Sequence, residues 1–326
     1  MMELLPQKSV ERVMLWLAAG ILFAVFNAGT MLVSQKYKIE GVLMSGLRGV
    51  GVAAIYSPAA FFVPFPKSPE FWALIVLEGM LSSFFNSRLY ASAARFGAGT
   101  TSRISMLAVP IGVVMWWIIM PKRFFELEGA PVVFAGLAVS MAAICLSFYK
   151  MSSGGGAMRG QLAFLTPAVL VLAVMMIVRK EAMEAVAFES AAVYYPLCAI
   201  FLSGAINLTV FAVHGGGAKL IGALSSKRII TAGILMSAVS SATIFFGNLS
   251  ALYVPNPAYL SALSLTAPLW IMLADKLLGV PDKVDSRWLA AMLLSIGALI
   301  FFAQIPISPP SDSPVSAGGR APAAAK

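Results

Sequence analysis

Long apolar runs recur along the whole of this 326-residue chain, separated by short charged or Pro/Gly-rich stretches. Each run is about 20 residues long, the length that an α-helix needs to cross the hydrocarbon core of a bilayer. The runs lack the strict alternation of barrel strands, and lipid allows no unpaired backbone amides. A chain with 60% hydrophobic and only 11% charged residues is also unsuited to a soluble globular fold. The sequence therefore predicts an all-α membrane protein.

Ten runs qualify as transmembrane helices. We predict them at about 13–35, 41–63, 71–93, 98–120, 129–149, 160–178, 190–213, 229–251, 257–277 and 286–304. The remaining segments are a short N-terminal segment, a flexible Gly-rich linker, and a disordered tail rich in Pro, Ser, Ala and Gly, at 1–12, 151–159 and 305–326. The linker divides the chain into two sets of five spans, 13–150 and 160–304.

The two halves align when one is shifted by 158 positions, the separation of Pro110 from Pro268. The same shift places the pair Ser82-Ser83 on Ser240-Ser241. Because five is odd, the second copy enters the membrane from the opposite side. The repeat is therefore inverted, as in many secondary transporters. We predict two inverted five-helix repeats.

The two aligned prolines fall mid-span in the predicted fourth and ninth helices. Proline removes one backbone hydrogen bond and kinks a helix. We therefore predict that Pro110 and Pro268 are hinges beside a central cavity. The alternative is that membrane helices simply tolerate these prolines.

Three segments carry a family resemblance. They are "EGVLMSGLR", which ends at Arg48, "RLYASAARFGAGTTSRISMLAVPIGVV" in the first half, and "NLSALYVPNPAYLSALSLTAPLWIMLADKLLG" in the second. The last two are rich in small residues and contain an apolar-Pro-apolar pattern. In these segments the chain resembles the drug/metabolite transporter superfamily, in particular its ten-helix members with two EamA-type repeats. The resemblance covers residues 13 to 304, and it implies a secondary transporter whose third, fourth, eighth and ninth helices line a central cavity.

The orientation of the chain in the membrane has two conflicting indications. The resemblance implies that both termini are cytoplasmic. However, more lysines and arginines flank the opposite side of the predicted spans, and the positive-inside rule would place the termini outside. The resemblance also implies the cell membrane, as a multi-pass protein of a bacterial inner membrane.

The sequence contains no enzyme signature: no Gly-rich phosphate loop, no Ser/His/Asp set and no paired carboxylates within a span. One histidine, His214, and two cysteines in apolar runs, Cys145 and Cys198, do not make a metal site or a disulfide. We predict neither catalysis nor a cofactor. The net charge of +9 indicates that basic residues contact anionic lipid or an anionic cargo rather than nucleic acid. The expected partners are a small-molecule substrate and membrane lipids, with the chain as a monomer or homodimer.

Polar and aromatic residues in or beside the predicted cavity helices are the candidate substrate contacts. A cavity with aromatic walls and few polar groups suits a small amphipathic metabolite such as an amino acid. Small hydroxyls also occur at ordinary helix contacts in bilayers. The candidates are Ser82, Asn86, Tyr90, Ser240, Asn248, Tyr259 and Trp270.

Glu78 is the one carboxylate that we place well inside a predicted span. An ionised acid is costly in lipid, so its side chain is expected to face protein or water. We predict a proton-coupling carboxyl, with a purely structural hydrogen bond as the alternative.

Arg48, Arg88 and Arg103 are predicted to lie towards one membrane face, about 7–11 Å into their spans. Each could snorkel to the interface. Three like charges on neighbouring helices repel unless an anion or water lies between them. We therefore predict a basic vestibule for a carboxylate or phosphate, with Arg48 as the deepest contact.

The predicted function is secondary transport of a small organic solute by alternating access, with export of an amino acid or related metabolite implied by the resemblance. Transport of an organic anion or phosphorylated metabolite is the alternative that the arginines favour. A lipid-linked flippase and a passive channel are further alternatives.

Overall fold

The structure is a computed structural model that describes residues 5–119, 130–152, 156–253, 266–277 and 286–304, and no strand occurs among them. The all-α prediction is confirmed for these residues. The helices are α1 (Leu5–Tyr37), α2 (Gly41–Tyr56), α3 (Pro69–Phe96), α4 (Ala98–Ser105), α5 (Ala108–Ile119), α6 (Pro131–Ser152), α7 (Gly156–Glu184), α8 (Phe188–Tyr194), α9 (Phe201–Gly215), α10 (Gly217–Leu224), α11 (Lys227–Tyr253), α12 (Ala267–Leu277) and α13 (Ser286–Gln304). A 3₁₀ turn, Ser57–Phe61, extends α2, and a π-helical turn, Tyr195–Ile200, joins α8 to α9.

Seven stretches of the described chain are long and apolar enough to cross a membrane: Met14–Tyr37, Gly41–Phe61, Ala98–Ile119, Pro131–Met151, Gly160–Glu184, Phe188–Gly215 and Lys227–Ser250. Each overlaps a predicted span. Large apolar side chains such as Val139 and Leu294 are exposed to the surroundings, as expected for surfaces in contact with lipid. The described chain therefore has the character of a multi-pass helical membrane protein.

Four helix pairs organise the packing. Helix α1 packs along α11, α3 along α7, α2 against α9, and α6 against α13. Buried side chains of helices α1 to α7, α9, α11 and α12 form one core. A second core lies between the regions of α6 and α13. The large core surrounds the space in which the candidate site lies.

The α2–α9 crossing depends on glycine. A Cβ atom built on Gly49 would clash with the Cα of Gly204 and lie 2.6 Å from the carbonyl oxygen of Ile200. Backbones approach this closely in membrane proteins only where side chains are small. The crossing therefore fixes α2, which carries Arg48, against the second half of the chain.

We expect Gly49→Ala to destabilise the protein by about 1–3 kcal/mol, because the added methyl group forces the two backbones apart. The measurement is the thermal unfolding midpoint in detergent. Gly297→Ala is the matched control, since a Cβ at Gly297 in α13 meets nothing within 4 Å. Equal midpoints for the two variants would mean that the crossing is not tight.

The structure places both predicted proline hinges in the first turn of a helix, and the hinge role itself stays a prediction. The fourth span is interrupted at Met106 and Leu107, and Pro110 lies in the first turn of α5. The Met106 carbonyl, which would normally accept from the amide of residue 110, instead accepts from Val109 at 3.1 Å. The helix breaks before the proline, and the Met106 carbonyl is satisfied locally. Pro268 likewise lies in the first turn of the described helix α12.

Two predicted boundaries also change. The linker predicted at 151–159 is largely helical, because α6 continues to Ser152 and α7 begins at Gly156. Helix α7 also continues to Glu184, past the predicted end of the sixth span at residue 178. The predicted tail, 305–326, lies outside the described residues.

Candidate functional site

A cavity of about 230 Å³ lies between the helices of the large core. Its lining comes from α1, α2, α3, α4, α7 and α11, with further residues at α8, the π-helical turn and α12. Both halves of the chain therefore contribute to it. At one end the lining includes Glu184 and Phe188, the last residue of α7 and the first of α8. The cavity thus extends from the interior of the bundle to the helix ends.

Arg48 is turned into this cavity from α2. Its side chain is buried, and its Nε donates a 3.0 Å hydrogen bond to Ser240 Oγ on α11. Its Nη1 is buried without a hydrogen-bond partner. Burial and an interhelical bond are the opposite of snorkelling, so Arg48 does not lie at the interface. The guanidinium offers an unused donor to a bound group.

Glu78 lies inside α3 and is fully buried, as expected for an acid that faces protein. Its Oε1 accepts a 2.5 Å hydrogen bond from the Tyr195 hydroxyl. Its Oε2 is buried without a partner. A buried acceptor left unsatisfied is costly, so this oxygen is a position for a proton or a cationic group.

Tyr195 bridges Glu78 to an arginine of α7. Arg179 Nε donates a 2.9 Å hydrogen bond to the Tyr195 hydroxyl, and its guanidinium lies 5.1 Å from the centre of the tyrosine ring. Tyr195 begins the π-helical turn, a feature that often occurs at functional sites. In the described structure Glu78 forms no ion pair with Arg48 or Arg179. The tyrosine hydroxyl thus stands between a carboxylate and a guanidinium.

The sequence did not identify Arg179 and Tyr195 as site residues. The predicted sixth span ends at 178, which places Arg179 in a loop, and Tyr195 falls within the apolar run of the predicted seventh span, 190–213. A buried acid does require a donor from a neighbouring helix, and Glu78 was therefore an indirect signal. It did not indicate which residue would donate.

We expect Tyr195→Phe to lower stability by about 1–3 kcal/mol, because the buried carboxylate of Glu78 loses its donor. The thermal unfolding midpoint in detergent measures the effect. Tyr194→Phe is the matched control, since the neighbouring hydroxyl donates only to the Ala60 carbonyl at 3.2 Å, in a partly exposed position. A loss no larger in Tyr195→Phe than in Tyr194→Phe would contradict the bridging role.

Other predicted substrate contacts meet in the same cavity. Ser82, Asn86 and Tyr90 line it from α3, and Ser240 lines it from α11. Asn86 Nδ2 donates to the Ser82 carbonyl at 2.8 Å and to Ser82 Oγ at 2.7 Å. Tyr90 is almost fully buried. The structure thus gathers Arg48, Glu78 and these four residues around one space.

The two other predicted arginines do not line this cavity. Arg88 donates to the Phe164 carbonyl at 2.9 Å, and its guanidinium lies over the rings of Phe84 and Phe164. Arg103 donates to the Gly99 carbonyl at 3.0 Å on its own helix. Of the three arginines in the predicted basic vestibule, Arg48 alone reaches the cavity.

Three further candidates are placed elsewhere. Asn248 is buried in α11 but does not line the cavity. Trp270 is half-buried, does not line the cavity, and donates to Thr266 Oγ1 at 3.3 Å. Tyr259 lies outside the described residues.

The walls between these polar groups are apolar and flexible. Phe23, Phe85, Leu89, Leu172 and Ile244 contribute branched and aromatic surface. The rest is largely thioether, from Met31, Met106, Met175, Met176 and Met183. The site therefore combines a few charged and amide groups with an adaptable apolar wall.

No protein-family model matches the chain, and no curated protein does. A solved structure described only as "Crystal structure of protein" superposes with a TM-score of 0.56 at 12% sequence identity. The match covers 89% of this chain and 96% of that one. At this identity the likeness shows a shared fold alone.

Proposed function

We propose that this chain is a secondary transporter of the ten-helix, EamA-type architecture, and that it moves a small organic solute by alternating access. The observation that carries the proposal is the cavity, which combines buried, incompletely partnered Arg48 and Glu78 with residues from both halves of the chain. Charged side chains inside a membrane bundle are costly and usually mark a substrate or ion pathway.

Three helices beyond the seven apolar stretches support the count of ten. Helix α3 has 28 residues, enough to span, and its polar side chains Glu78, Ser82 and Asn86 face the cavity rather than lipid. Helix α12 is the described part of the predicted ninth span, and α13 has 19 residues with an apolar stretch at Arg287–Leu299.

The pattern of helix contacts supports the inverted repeat. A two-fold axis that relates spans one to five to spans six to ten would make α1 equivalent to α7 and α3 equivalent to α11. The contact between α1 and α11 would then be equivalent to the contact between α7 and α3, and both contacts are extensive. The same relation maps the α2–α9 and α6–α13 pairs onto themselves. Gly46 and Gly204 are 158 positions apart, and a Cβ on Gly204 would lie 3.0 Å from the Gly46 carbonyl oxygen. A residue meets its own repeat mate only near a two-fold axis.

The solute that we propose is an amino acid or a related metabolite, with export as the direction that the family resemblance implies. A mixed charged and apolar cavity of this size supports a small amphipathic molecule rather than a lipid chain. An organic anion is the second candidate, because Arg48 has an unpartnered nitrogen in the cavity.

Counterflow in proteoliposomes tests the proposal. The purified full-length chain is reconstituted, the vesicles are preloaded with a mixture of unlabelled amino acids, and uptake of labelled amino acids is followed. A carrier shows uptake that is accelerated by solute on the opposite side. Uptake that is independent of internal solute would indicate a passive channel, and lipid scrambling without solute uptake would indicate a flippase.

A further inference from the structure

Two oppositely charged side chains of this cavity each retain one polar atom without a protein partner. These atoms are Nη1 of Arg48 and Oε2 of Glu78, and both are buried. Of the other charged groups of the cavity, Lys180 pairs with Glu184 at 2.9 Å, and Arg179 donates from Nε to the Tyr195 hydroxyl. Arg48 and Glu78 therefore supply one positive and one negative pole with unused binding capacity.

The two poles lie in one space and do not neutralise each other. Arg48 and Glu78 both line the cavity, yet they form no ion pair with each other in the described structure. Charges buried without full hydrogen bonding are costly, which favours a ligand that supplies the missing bonds.

The charge of the ligand follows from the requirements of both poles. An anion would pair with Arg48, but it would place a second negative charge in the same cavity as the unpaired carboxylate of Glu78. A cation would pair with Glu78, but it would place a second positive charge in the same cavity as the guanidinium of Arg48. Repulsion between like charges and the cost of leaving a buried polar group unpaired both weaken the binding of a ligand with the wrong charge. A ligand with an ammonium and a carboxylate satisfies both poles and adds no net charge.

We propose that the cavity binds a small zwitterion, with its carboxylate on Arg48 Nη1 and its ammonium on Glu78 Oε2. This assignment rests on the proposed transport function and names the charge class of the solute. The apolar side group of the ligand packs against the methionine wall, where Met31, Met175 and Met176 lie. Thioether side chains adapt to different shapes, so several apolar side groups are accepted.

The test measures equilibrium binding to the full-length protein in detergent, by calorimetry and thermal shift. Leucine is compared with 4-methylpentanoate, which lacks the ammonium, and with 3-methylbutylamine, which lacks the carboxylate. Matched sets built on methionine and phenylalanine are measured in parallel. We expect each zwitterion to bind about 10- to 100-fold more tightly than either of its single-charge analogues, because each analogue leaves one buried charge unpaired.

Two variants assign the poles. Glu78→Gln is expected to weaken leucine binding about 10- to 100-fold and to spare 4-methylpentanoate. Arg48→Gln is expected to weaken leucine binding similarly and to spare 3-methylbutylamine. The spared analogue in each case shows that the variant is folded, and Glu78→Asp and Arg48→Lys are available where a glutamine variant does not fold.

Several outcomes overturn the proposal. Binding of 4-methylpentanoate as tightly as leucine would make this an anion site, and equal binding of 3-methylbutylamine would make it a cation site. Failure of all three zwitterions to bind would remove the assignment altogether. Trans-stimulated counterflow of another solute would still leave the carrier function standing, so the two proposals fail separately.

Discussion

A Glu78→Gln variant is expected to lose all solute accumulation driven by a pH gradient. Glu78 is fully buried in α3, its Oε2 has no partner, and it lines the cavity that both halves form. A carboxyl in this position can take up and release a proton as the cavity changes sides, whereas the amide cannot. Accumulation in proteoliposomes under an imposed pH gradient measures the effect. Counterflow at saturating solute is expected to persist, with weakened affinity, because exchange requires no net proton movement.

Glu70→Gln is the matched control for this experiment. Glu70 lies in the first turn of the same helix and is exposed. Its amide variant is expected to keep the full response to the pH gradient. If Glu78→Gln responds to the gradient as the unmodified protein does, the carboxyl has only the structural role of accepting from Tyr195.

Arg48→Gln is expected to raise the KM for transport by about 10- to 100-fold, because a charge-assisted contact to the carboxylate is lost. Arg48→Lys is expected to restore only part of the affinity. Lysine supplies the charge but not the forked pair of donors, and it cannot keep both the Ser240 contact and the ligand in the same geometry. Initial rates of counterflow at varied solute concentration give KM.

Arg95→Gln is the control for the removal of an arginine, since Arg95 is exposed at the end of α3 and does not line the cavity. Its KM is expected to match that of the unmodified protein. If Arg88→Gln or Arg103→Gln raises KM as much as Arg48→Gln does, that result would contradict the finding that neither Arg88 nor Arg103 lines the cavity. The same result would support the predicted basic vestibule formed by Arg48, Arg88 and Arg103.

The helical membrane class and most of the span positions followed from the sequence because the bilayer imposes them. Its thickness sets a run length of about 20 apolar residues, and its lack of hydrogen-bonding partners excludes open strands. These constraints act locally, residue by residue along the chain, so composition and run length are sufficient. The location of Glu78 inside a helix followed in the same way.

Helix ends and breaks were less well predicted because local composition does not define them. The fourth span breaks at Met106 and Leu107, where the missing amide of Pro110 is compensated by a bond from Val109. Helix α7 extends to Glu184, and Arg179, Lys180 and Glu184 of its last turns line the cavity, where Lys180 pairs with Glu184. Hydropathy alone assigns such residues to a loop.

The roles of individual polar residues were decided by tertiary structure. Arg48 and Arg88 have similar sequence settings, each a single arginine several residues inside an apolar run. Arg48 meets Ser240, 192 positions away, and faces the cavity, while Arg88 meets the carbonyl and ring of Phe164. Glu78 likewise receives its donor from Tyr195, 117 positions away. A side chain acquires its function from the groups that distant helices bring to it, and only the packing of those helices determines which groups they are.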